Sequence, residues 1–280
     1  MRFALVGGQR QEAQPSFSGA CPACDKPVRA KCGNVRRWHW AHRDDERCDY
    51  EHWWANETEW HLAWKKIFPE DWHEHIGRAA SGEKHIADVK TNQGWVLEFQ
   101  HSKIDLDERK ARETFYRKLI WIVDGARRKS DKSRFFTAWN DGELVHNELK
   151  MRRISLPNNC AILRDWANSH VPVFLDFSWC NESESEQLSL IDPSEGDKPE
   201  DAYLWCLIRV IDKMAYVVPF SRSLLVEYHG PEPSKMNIGF AHLLQRLLAI
   251  ADQIARPRQH CPSNQERVYR EVRARESKRL

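Results

Sequence analysis

The feature that most constrains the fold is a set of cysteines and histidines near the start of the chain. Cys21 and Cys24 form a Cys-x-x-Cys pair, and His42 and Cys48 follow it. A Cys-x-x-Cys turn brings two thiolates to one tetrahedral ion at about 2.3 Å, and a second pair must come from elsewhere. The segment around Gly33 indicates a short hairpin that would bring the two pairs together. The sequence therefore predicts a Zn²⁺ site formed by these two pairs.

The zinc is expected to be structural rather than catalytic. A stretch of about 50 residues with few aliphatic side chains cannot hold its own fold without the metal. Eight cysteines in a chain without an export signal also argue against a disulfide framework. His39 is the rival ligand, and Cys32 and His52 are less favoured ones. We assign residues 1–54 to a zinc-ribbon-like module.

The next segment predicts a helix, three strands, a helix and a strand. Asn56 and Glu59 resemble a capping box, and apolar residues then recur at helical spacing as far as Phe68. Strand-like runs follow at about 72–79, 84–90 and 95–101. A helix is predicted over 106–119, and a short apolar run at 119–123 is typical of a buried strand. We assign residues 55–130 to this αβββαβ core.

The turn at Gly94 sets a register that places Asp88 opposite Glu98. If Thr91 pairs with Trp95, the two carboxylates lie about 5 Å apart on one face of the sheet. Such a pair is costly in repulsion and desolvation unless a cation neutralises it. Mg²⁺ is held through one or two carboxylates together with waters and substrate phosphate, so a divalent metal is the simplest resolution. The alternative is a pair at an exposed edge, where solvent screens the repulsion.

Residues 131–280 are expected to form a C-terminal β-rich module with a long helix. Strands are predicted at about 171–177, 204–210, 214–220 and 224–228. An apolar stripe from Phe240 to Ile254 predicts a helix that packs on this module or on another protomer. No catalytic constellation is found in this half, so we expect it to place substrate or contact a partner, either another protein or a second copy of the chain. The whole chain is predicted to be a mixed α/β (α+β) protein.

Composition limits the surroundings in which the chain works. The longest run of aliphatic and aromatic residues, Leu119 to Val123, is far shorter than the roughly 20 residues that cross a bilayer. The first residues lack the apolar region of a signal peptide, so we expect a cytoplasmic protein that does not enter a membrane. The net charge is only +2, but Arg109 to Arg134 is rich in cations and suggests phosphate contact.

Seven short motifs follow one another over about residues 18–125. They are Cys21-Pro-Ala-Cys24, His39-Trp-Ala-His42, Glu57-Thr-Glu-Trp-His61 with Lys65, Ala87-Asp88-Val89, Glu98-Phe-Gln100-His-Ser102-Lys-Ile104, Arg112-Glu-Thr-Phe-Tyr116 and Trp121-Ile122-Val123. No single motif is specific, but their order and spacing together are. In this order they resemble the competence protein CoiA family, within the PD-(D/E)XK nuclease superfamily.

The resemblance implies a metal-dependent deoxyribonuclease associated with DNA uptake and recombination. Asp88 and Glu98 would bind Mg²⁺ or Mn²⁺ with the backbone carbonyl of Phe99, and Glu57 would hold a water or a second metal. Gln100 stands where a lysine is usual in the superfamily, and a neutral amide can orient water but supplies no charge. The residues implied to contact substrate or support the site are His61, Lys65, Arg112 and Tyr116.

Three functions are therefore compared. The first is an active nuclease with Mg²⁺ or Mn²⁺. The second is a zinc-containing nucleic-acid-binding accessory protein with weak or no turnover, which Gln100 suggests. The third is a subunit of a complex for DNA processing or antiviral defence whose activity needs a partner. In the first reading the catalytic residues are Asp88, Glu98, Gln100 and Glu57.

Overall fold

Two β-sheets organise the described part of the chain in a computed structural model. The structure describes residues 1–35, 37–43, 48, 57–80, 82–156, 160–178, 203–232 and 239–256. Both sheets and all the helices given below lie within these ranges. The predicted mixed α/β class is confirmed.

The first sheet is antiparallel and has the order β2-β1-β3-β4-β5. The hairpin of β4 and β5 pairs Val28 with His42 and Lys31 with His39, which confirms the hairpin predicted around Gly33. The strands of this sheet are β1 (Phe3–Val6), β2 (Gln9–Glu12), β3 (Ser18–Ala20), β4 (Pro27–Lys31) and β5 (His39–His42).

The second sheet has nine strands in the order β10-β11-β14-β13-β12-β9-β8-β7-β6. Strands β8, β9 and β12 are parallel to one another, and the remaining pairs are antiparallel. Its strands are β6 (His73–Arg78), β7 (Lys84–Lys90), β8 (Val96–Gln100), β9 (Leu119–Asp124), β10 (Glu143–His146), β11 (Met151–Ser155), β12 (Val173–Asp176), β13 (Tyr203–Ile211) and β14 (Met214–Ser221).

Helices cover both faces of the nine-stranded sheet, which gives three layers around two apolar cores. Side chains of α1, α5 and α6 pack on one face, and those of α3 and α4 pack on the other with residues at the end of α2. The helices are α1 (Glu59–Lys66), α2 (Leu106–Phe115), α3 (Asp131–Asp141), α4 (Ala161–Trp166), α5 (Arg222–His229) and α6 (Phe240–Ala255).

The predicted order of helix, three strands, helix and strand is confirmed over α1 to β9. Strand β9 is buried along its whole length, as its continuous apolar run predicts. The start of α1 differs from the prediction, because Thr58 is its N-cap and accepts a hydrogen bond from the backbone N–H of His61. Glu59 is therefore the first helical residue, and Asn56 lies outside the described residues.

The C-terminal half extends the same sheet. Strands β10 to β14 continue it beyond β9, so strands from both sides of residue 130 share one sheet, although the sequence predicts a domain boundary there. The predicted strand at 224–228 is wrong, because those residues lie in α5. Ser221 caps that helix by accepting the N–H of Leu224, and Leu225 and Tyr228 are buried at helical spacing. The apolar stripe of α6 packs on the sheet.

The N-terminal sheet packs against the β6 and β7 edge. Ile86 is buried in the core of the N-terminal sheet, and Ile76 packs beside it. The Arg78 side chain donates to the Ala23 carbonyl at 3.2 Å, and the Lys84 ammonium donates to the same oxygen at 3.0 Å. The Cys-x-x-Cys turn is therefore joined to the first strands of the larger sheet.

Candidate functional site

The four predicted zinc ligands converge at one end of the N-terminal sheet. Cys21 and Cys24 lie in the turn between β3 and β4, where the backbone N–H of Asp25 donates to the carbonyl of Cys21 at 2.8 Å. His42 ends β5, and the donor atoms of the two pairs all lie within 4.8 Å of one another. The cluster could hold a metal ion such as zinc.

The distances and donor types fit a tetrahedral zinc. Two sulfurs that each lie about 2.3 Å from a tetrahedral ion are about 3.8 Å apart. The Sγ atoms of Cys21 and Cys48 are 3.8 Å apart, and the Cys24 Sγ lies 3.2 Å from the His42 Nε2. Burial raises the pKa of Cys21 to about 12, and the neighbouring Cys48 adds to the rise. A bound cation would offset that penalty by stabilising the thiolates.

The rival zinc ligands lie apart from this cluster. His39 and His42 occupy opposite faces of β5, and the His39 Nδ1 is 2.8 Å from the Arg37 carbonyl. Cys32 is half-buried and follows β4, outside the four-residue group. His52 lies outside the described residues.

Asp88 and Glu98 meet where β7 and β8 diverge. The ladder pairs Val89 with Leu97, and the N–H of Thr91 donates to the carbonyl of Trp95 at 2.8 Å, which is the predicted register. One residue further, the Asp88 Oδ2 instead accepts the backbone N–H of Phe99 at 2.8 Å. The Asp88 side chain thus takes the place of a ladder hydrogen bond, and both carboxylates are buried.

Helix α1 supplies the partners of Asp88. The His61 Nε2 lies 2.8 Å from the Asp88 Oδ1, and the Lys65 Nζ lies 3.7 Å from the same oxygen. Burial raises the pKa of Asp88, but His61, Lys65 and the Phe99 N–H together lower it by more, so the pKa lies below its ordinary value. Asp88 is therefore held as a carboxylate.

Helix α2 supplies the partner of Glu98. The Arg112 Nη1 donates to the Glu98 Oε1 at 3.0 Å and to the Ile86 carbonyl at 3.0 Å. Burial raises the pKa of Glu98 to about 8 in spite of Arg112, and the charge of Asp88 adds to the rise. The neutralising charge that the sequence predicts from a divalent metal is thus supplied in part by Arg112 and Lys65.

The buried Lys65 contacts three carboxylates, those of Asp88, Glu57 and Glu74. The Lys65 ammonium donates to the Glu57 Oε1 and to the Glu74 Oε1, the latter at 3.4 Å. Burial lowers the pKa of Lys65, but Glu74, Asp88 and Glu57 raise it above its ordinary value. Glu57, His61 and Asp88 also bring donor atoms within 4.8 Å of one another. The Glu57 Oε2 is buried and has no hydrogen-bond partner among the described residues.

Glu74 is the member of this cluster that the sequence analysis missed. It lies in β6 with φ of 50°, in the left-handed region that residues other than glycine seldom adopt. Strand alternation therefore does not predict where its side chain points, and no spacing motif includes it. In the sequence its only distinguishing feature is that it stands between two histidines.

An open cavity of about 280 Å³ lies in front of the two carboxylates. Its lining includes Asp88, Glu98, Gln100 and His101. The Gln100 Nε2 donates to the carbonyl and hydroxyl oxygens of Ser102 at 2.8 and 3.2 Å. These bonds fix the amide plane and use the amide donors, which leaves the Gln100 Oε1 as an acceptor.

Tyr116 lies just beyond the end of α2, close to the carboxylates. Its hydroxyl is buried and has no hydrogen-bond partner within the described ranges. Burial raises the pKa of Tyr116, and the negative charge of Glu98 raises it further. Tyr116 is therefore a neutral phenol, and the structure brings both Arg112 and Tyr116 to the neighbourhood of Glu98. Their contact with substrate stays a prediction.

A second buried ion pair fixes α1 against the C-terminal half. Asp176 at the end of β12 accepts two hydrogen bonds from Arg222 of α5, at 2.5 and 3.2 Å. The indole N–H groups of Trp60 and Trp64 donate to its Oδ2 at 3.0 and 2.9 Å. Trp60 and Trp64 directly precede His61 and Lys65 in α1. The ion pair of Asp176 and Arg222 therefore helps to position the partners of Asp88.

The N-terminal part of the chain is similar to a known protein family. Residues 9–51 match the N-terminal domain of competence protein CoiA. This segment runs from β2 to beyond Cys48, so it contains all four cluster residues and supports the CoiA-like resemblance. No curated protein and no solved structure matches the chain. Among the described helices, none is both long enough and apolar enough to cross a lipid bilayer.

Proposed function

We propose that the chain is a divalent-metal-dependent nuclease that hydrolyses phosphodiester bonds of DNA. The observation that carries the proposal is the pair of buried carboxylates, Asp88 and Glu98, on adjacent strands at the floor of a cavity of about 280 Å³. Buried acidic pairs are rare outside functional sites because their charges repel in a medium of low polarity. The match to the CoiA N-terminal domain supports a role in competence and DNA uptake.

The residues present offer oxygen donors for Mg²⁺ or Mn²⁺. Asp88 and the unpartnered Glu57 Oε2 would hold the ion, with Glu98 and the Phe99 carbonyl as the further predicted ligands. Such ions are bound through a few carboxylates and keep several waters. When bound, the ion would activate water and neutralise charge on the scissile phosphate.

Two side chains that line the cavity, and Lys65 buried behind Asp88, would perform the other tasks that hydrolysis requires. The Gln100 Oε1 can accept a hydrogen bond from the attacking water and orient it toward phosphorus. The Lys65 ammonium, 3.7 Å from the Asp88 Oδ1, supplies the fixed positive charge that the amide at position 100 does not. His61 holds Asp88 in place through its Nε2. In this proposal, Lys65 of α1 supplies the positive charge that a lysine at position 100 would otherwise supply.

One observation favours a second function, a nucleic-acid-binding accessory protein without turnover. Asp88 lies 3.7 Å from the Lys65 ammonium and Glu98 is hydrogen-bonded to Arg112, so these two carboxylates are partly neutralised without a metal ion. In that case DNA would bind the protein, and no cleavage would follow. A subunit that is active only with a partner protein would behave in the same way until the partner is added.

Cleavage of labelled DNA and RNA, single- and double-stranded, distinguishes these functions. The assay is run with Mg²⁺, with Mn²⁺ and without added divalent metal, on the wild type and on Glu98→Ala. Glu143→Ala is the matched control, because Glu143 is an exposed carboxylate at the opposite edge of the sheet. We expect metal-dependent DNA cleavage that only Glu98→Ala abolishes. Cleavage that persists in Asp88→Ala combined with Glu98→Ala would refute the proposed active site.

A further inference from the structure

A groove rich in cations lies on the side of the molecule that carries β6, β7 and the end of α2. We call it the basic groove. Its volume is about 520 Å³, and no Asp or Glu occurs among its described lining residues. The lining residues that matter here are His75, Arg78, Lys90, Tyr116, Arg117 and Lys118.

The cations of the basic groove are not neutralised by carboxylates in the described part of the chain. Lys90 contacts the His75 Nε2 at 3.0 Å, and Lys118 donates to the Gln93 carbonyl at 3.2 Å. Arg78 donates to two backbone carbonyls. Elsewhere on the surface, Arg153 pairs with Glu143 and Arg209 pairs with Asp252. In a chain with 43 basic and 41 acidic residues, this concentration of unneutralised charge is a local feature.

The pKa of His75 is lowered by burial and by the positive charges around the basic groove. Burial lowers the pKa of His75, and the cationic side chains of Lys90 and Arg10 lower it further. The Lys90 ammonium donates to the His75 ring, so this ring is a neutral acceptor between cations. A polyanion entering the basic groove would relieve the repulsion among these charges.

The spread of the cations matches a polymer of phosphates better than a single anion. The basic residues come from β6, from β7 and from the segment that enters β9, and β6 and β9 are separated by two strands. Neighbouring strands lie about 4.8 Å apart, so the cations extend over about 14 Å. One phosphate cannot reach across that distance, whereas duplex DNA carries a charge every 1.7 Å or so of its axis.

We propose that the basic groove binds the phosphodiester backbone of DNA beside the active site. The choice of DNA as the polymer rests on the proposed function. Tyr116 lines the basic groove, and Arg112, one helical turn earlier, lines the active-site cavity, so the end of α2 separates the two. Arg78 lines the other wall and binds the carbonyls of Pro22 and Ala23. The metal-binding turn therefore helps to shape the basic groove.

The test is DNA binding by the full chain, with its zinc retained and no Mg²⁺ or Mn²⁺ added. Fluorescence anisotropy of a labelled duplex is measured at several salt concentrations. The test variant combines Lys90→Gln, Arg117→Gln and Lys118→Gln. The control variant combines Lys150→Gln, Arg153→Gln and Arg209→Gln, which removes the same charge from other parts of the surface.

We expect the test variant to lose on the order of 100-fold in affinity at 0.1 M salt. The slope of log affinity against log salt should fall by about 0.9 for each phosphate contact removed. The control variant should keep the wild-type slope. An unchanged slope in the test variant, an equal loss in the control variant, or binding to phosphatidylserine vesicles but not to DNA would overturn the proposal.

The same proteins separate this proposal from the proposed nuclease. If the wild type binds DNA through the basic groove but cleaves none with either metal, the groove stands and the nuclease proposal fails. If the test variant binds and cleaves like the wild type, the groove proposal fails and the nuclease proposal stands. Glu143→Ala should bind DNA with the wild-type salt slope, because Glu143 lies at the opposite edge of the sheet from the basic groove.

Discussion

Asp176→Asn tests how strongly the C-terminal half holds the candidate active site. The substitution keeps the size of the side chain but removes its charge and replaces one acceptor oxygen with an NH2 group. In the wild type, Arg222, Trp60 and Trp64 all donate hydrogen bonds to this carboxylate. In the variant, Arg222 becomes a buried cation without a counter-ion, and some of the donors face another donor.

The loss of stability expected for Asp176→Asn follows from the burial of the ion pair and from the pKa of Asp176. Asp176 and Arg222 are 0% and 3% exposed, and breaking such a buried pair by removing one partner costs about 3 to 5 kcal/mol. Burial alone would raise the pKa of Asp176, but Arg222 and Ser178 lower it to about 2. Relative to an unfolded value of about 3.9, ionisation of Asp176 stabilises the fold by about 2 to 3 kcal/mol.

The sign of the pH dependence follows from the lowered pKa. Because the folded pKa lies below the unfolded one, the stabilisation is fully present above about pH 4. It is lost as the pH falls toward the folded value of about 2. The wild type should therefore lose more stability than Asp176→Asn across this acidic window.

Urea unfolding, followed by tryptophan fluorescence and circular dichroism, measures these effects. Asp165→Asn is the control, because Asp165 forms partly exposed ion pairs with Arg127 and Arg128 and should contribute less than about 1 kcal/mol. Adding Arg222→Met to Asp176→Asn should recover part of the loss by removing the unpaired cation. If Asp176→Asn destabilises the protein no more than Asp165→Asn does, the reasoning is refuted.

Four further predictions concern the metals, the buried charges and the extent of the folding unit. Cys21→Ser should lower the zinc content of purified protein from one ion per chain and reduce solubility, and unchanged zinc content would rule out the assigned ligands. Glu98→Ala should abolish cleavage and destabilise the fold by about 1 to 3 kcal/mol, since Arg112 loses its buried acceptor but keeps its ion pair with Glu108 at 2.7 Å, whereas Gln100→Ala should slow cleavage without that loss of stability. Lys65→Met should lower the thermal midpoint, and added Mg²⁺ should raise the midpoint of this variant more than that of the wild type, because the carboxylates lose their internal cation; an equal response would contradict this. Deletion of residues 131–280 should leave an insoluble protein, because it exposes one side of β9, and a soluble folded fragment with cooperative unfolding would show that the core folds alone.

The parts of the fold that local pattern determines could be predicted from the sequence. Strands β7 and β9 follow from alternation and from a continuous apolar run, and the register near Gly94 follows from a three-residue turn. The grouping of Cys21, Cys24, His42 and Cys48 follows from their spacing. Each of these signals depends on residues that are close in sequence, which is why a single chain reveals them.

The remaining features depend on contacts between distant residues. Helix α5 was predicted as a strand because residues 224–228 are rich in apolar and β-compatible side chains, and the Ser221 cap decides in favour of a helix. The continuation of the sheet beyond β9 depends on the parallel pairing of Val173 with Trp121, which no local spacing predicts. The role of Asp176 has no local signal, since Arg222, Trp60 and Trp64 lie 46 or more residues away and only Ser178 is near it in sequence.

The position of Lys65 explains how the proposed nuclease site could keep a positive charge although position 100 is a glutamine. A lysine at position 100 would extend from β8, whereas Lys65 extends from α1 and brings its Nζ to 3.7 Å from the Asp88 Oδ1. Coulomb energy depends on the separation of the charges and on their burial, and it does not depend on which element supplies them. The buried Lys65, fixed by Glu57 and Glu74, therefore places a positive charge near Asp88, and in the proposed mechanism Gln100 has only to orient water. It follows that Gln100→Lys should add a second cation to a site that already has one, and it should weaken the binding of Mg²⁺. Tighter metal binding by Gln100→Lys, measured by calorimetry, would show that Lys65 does not replace the missing lysine.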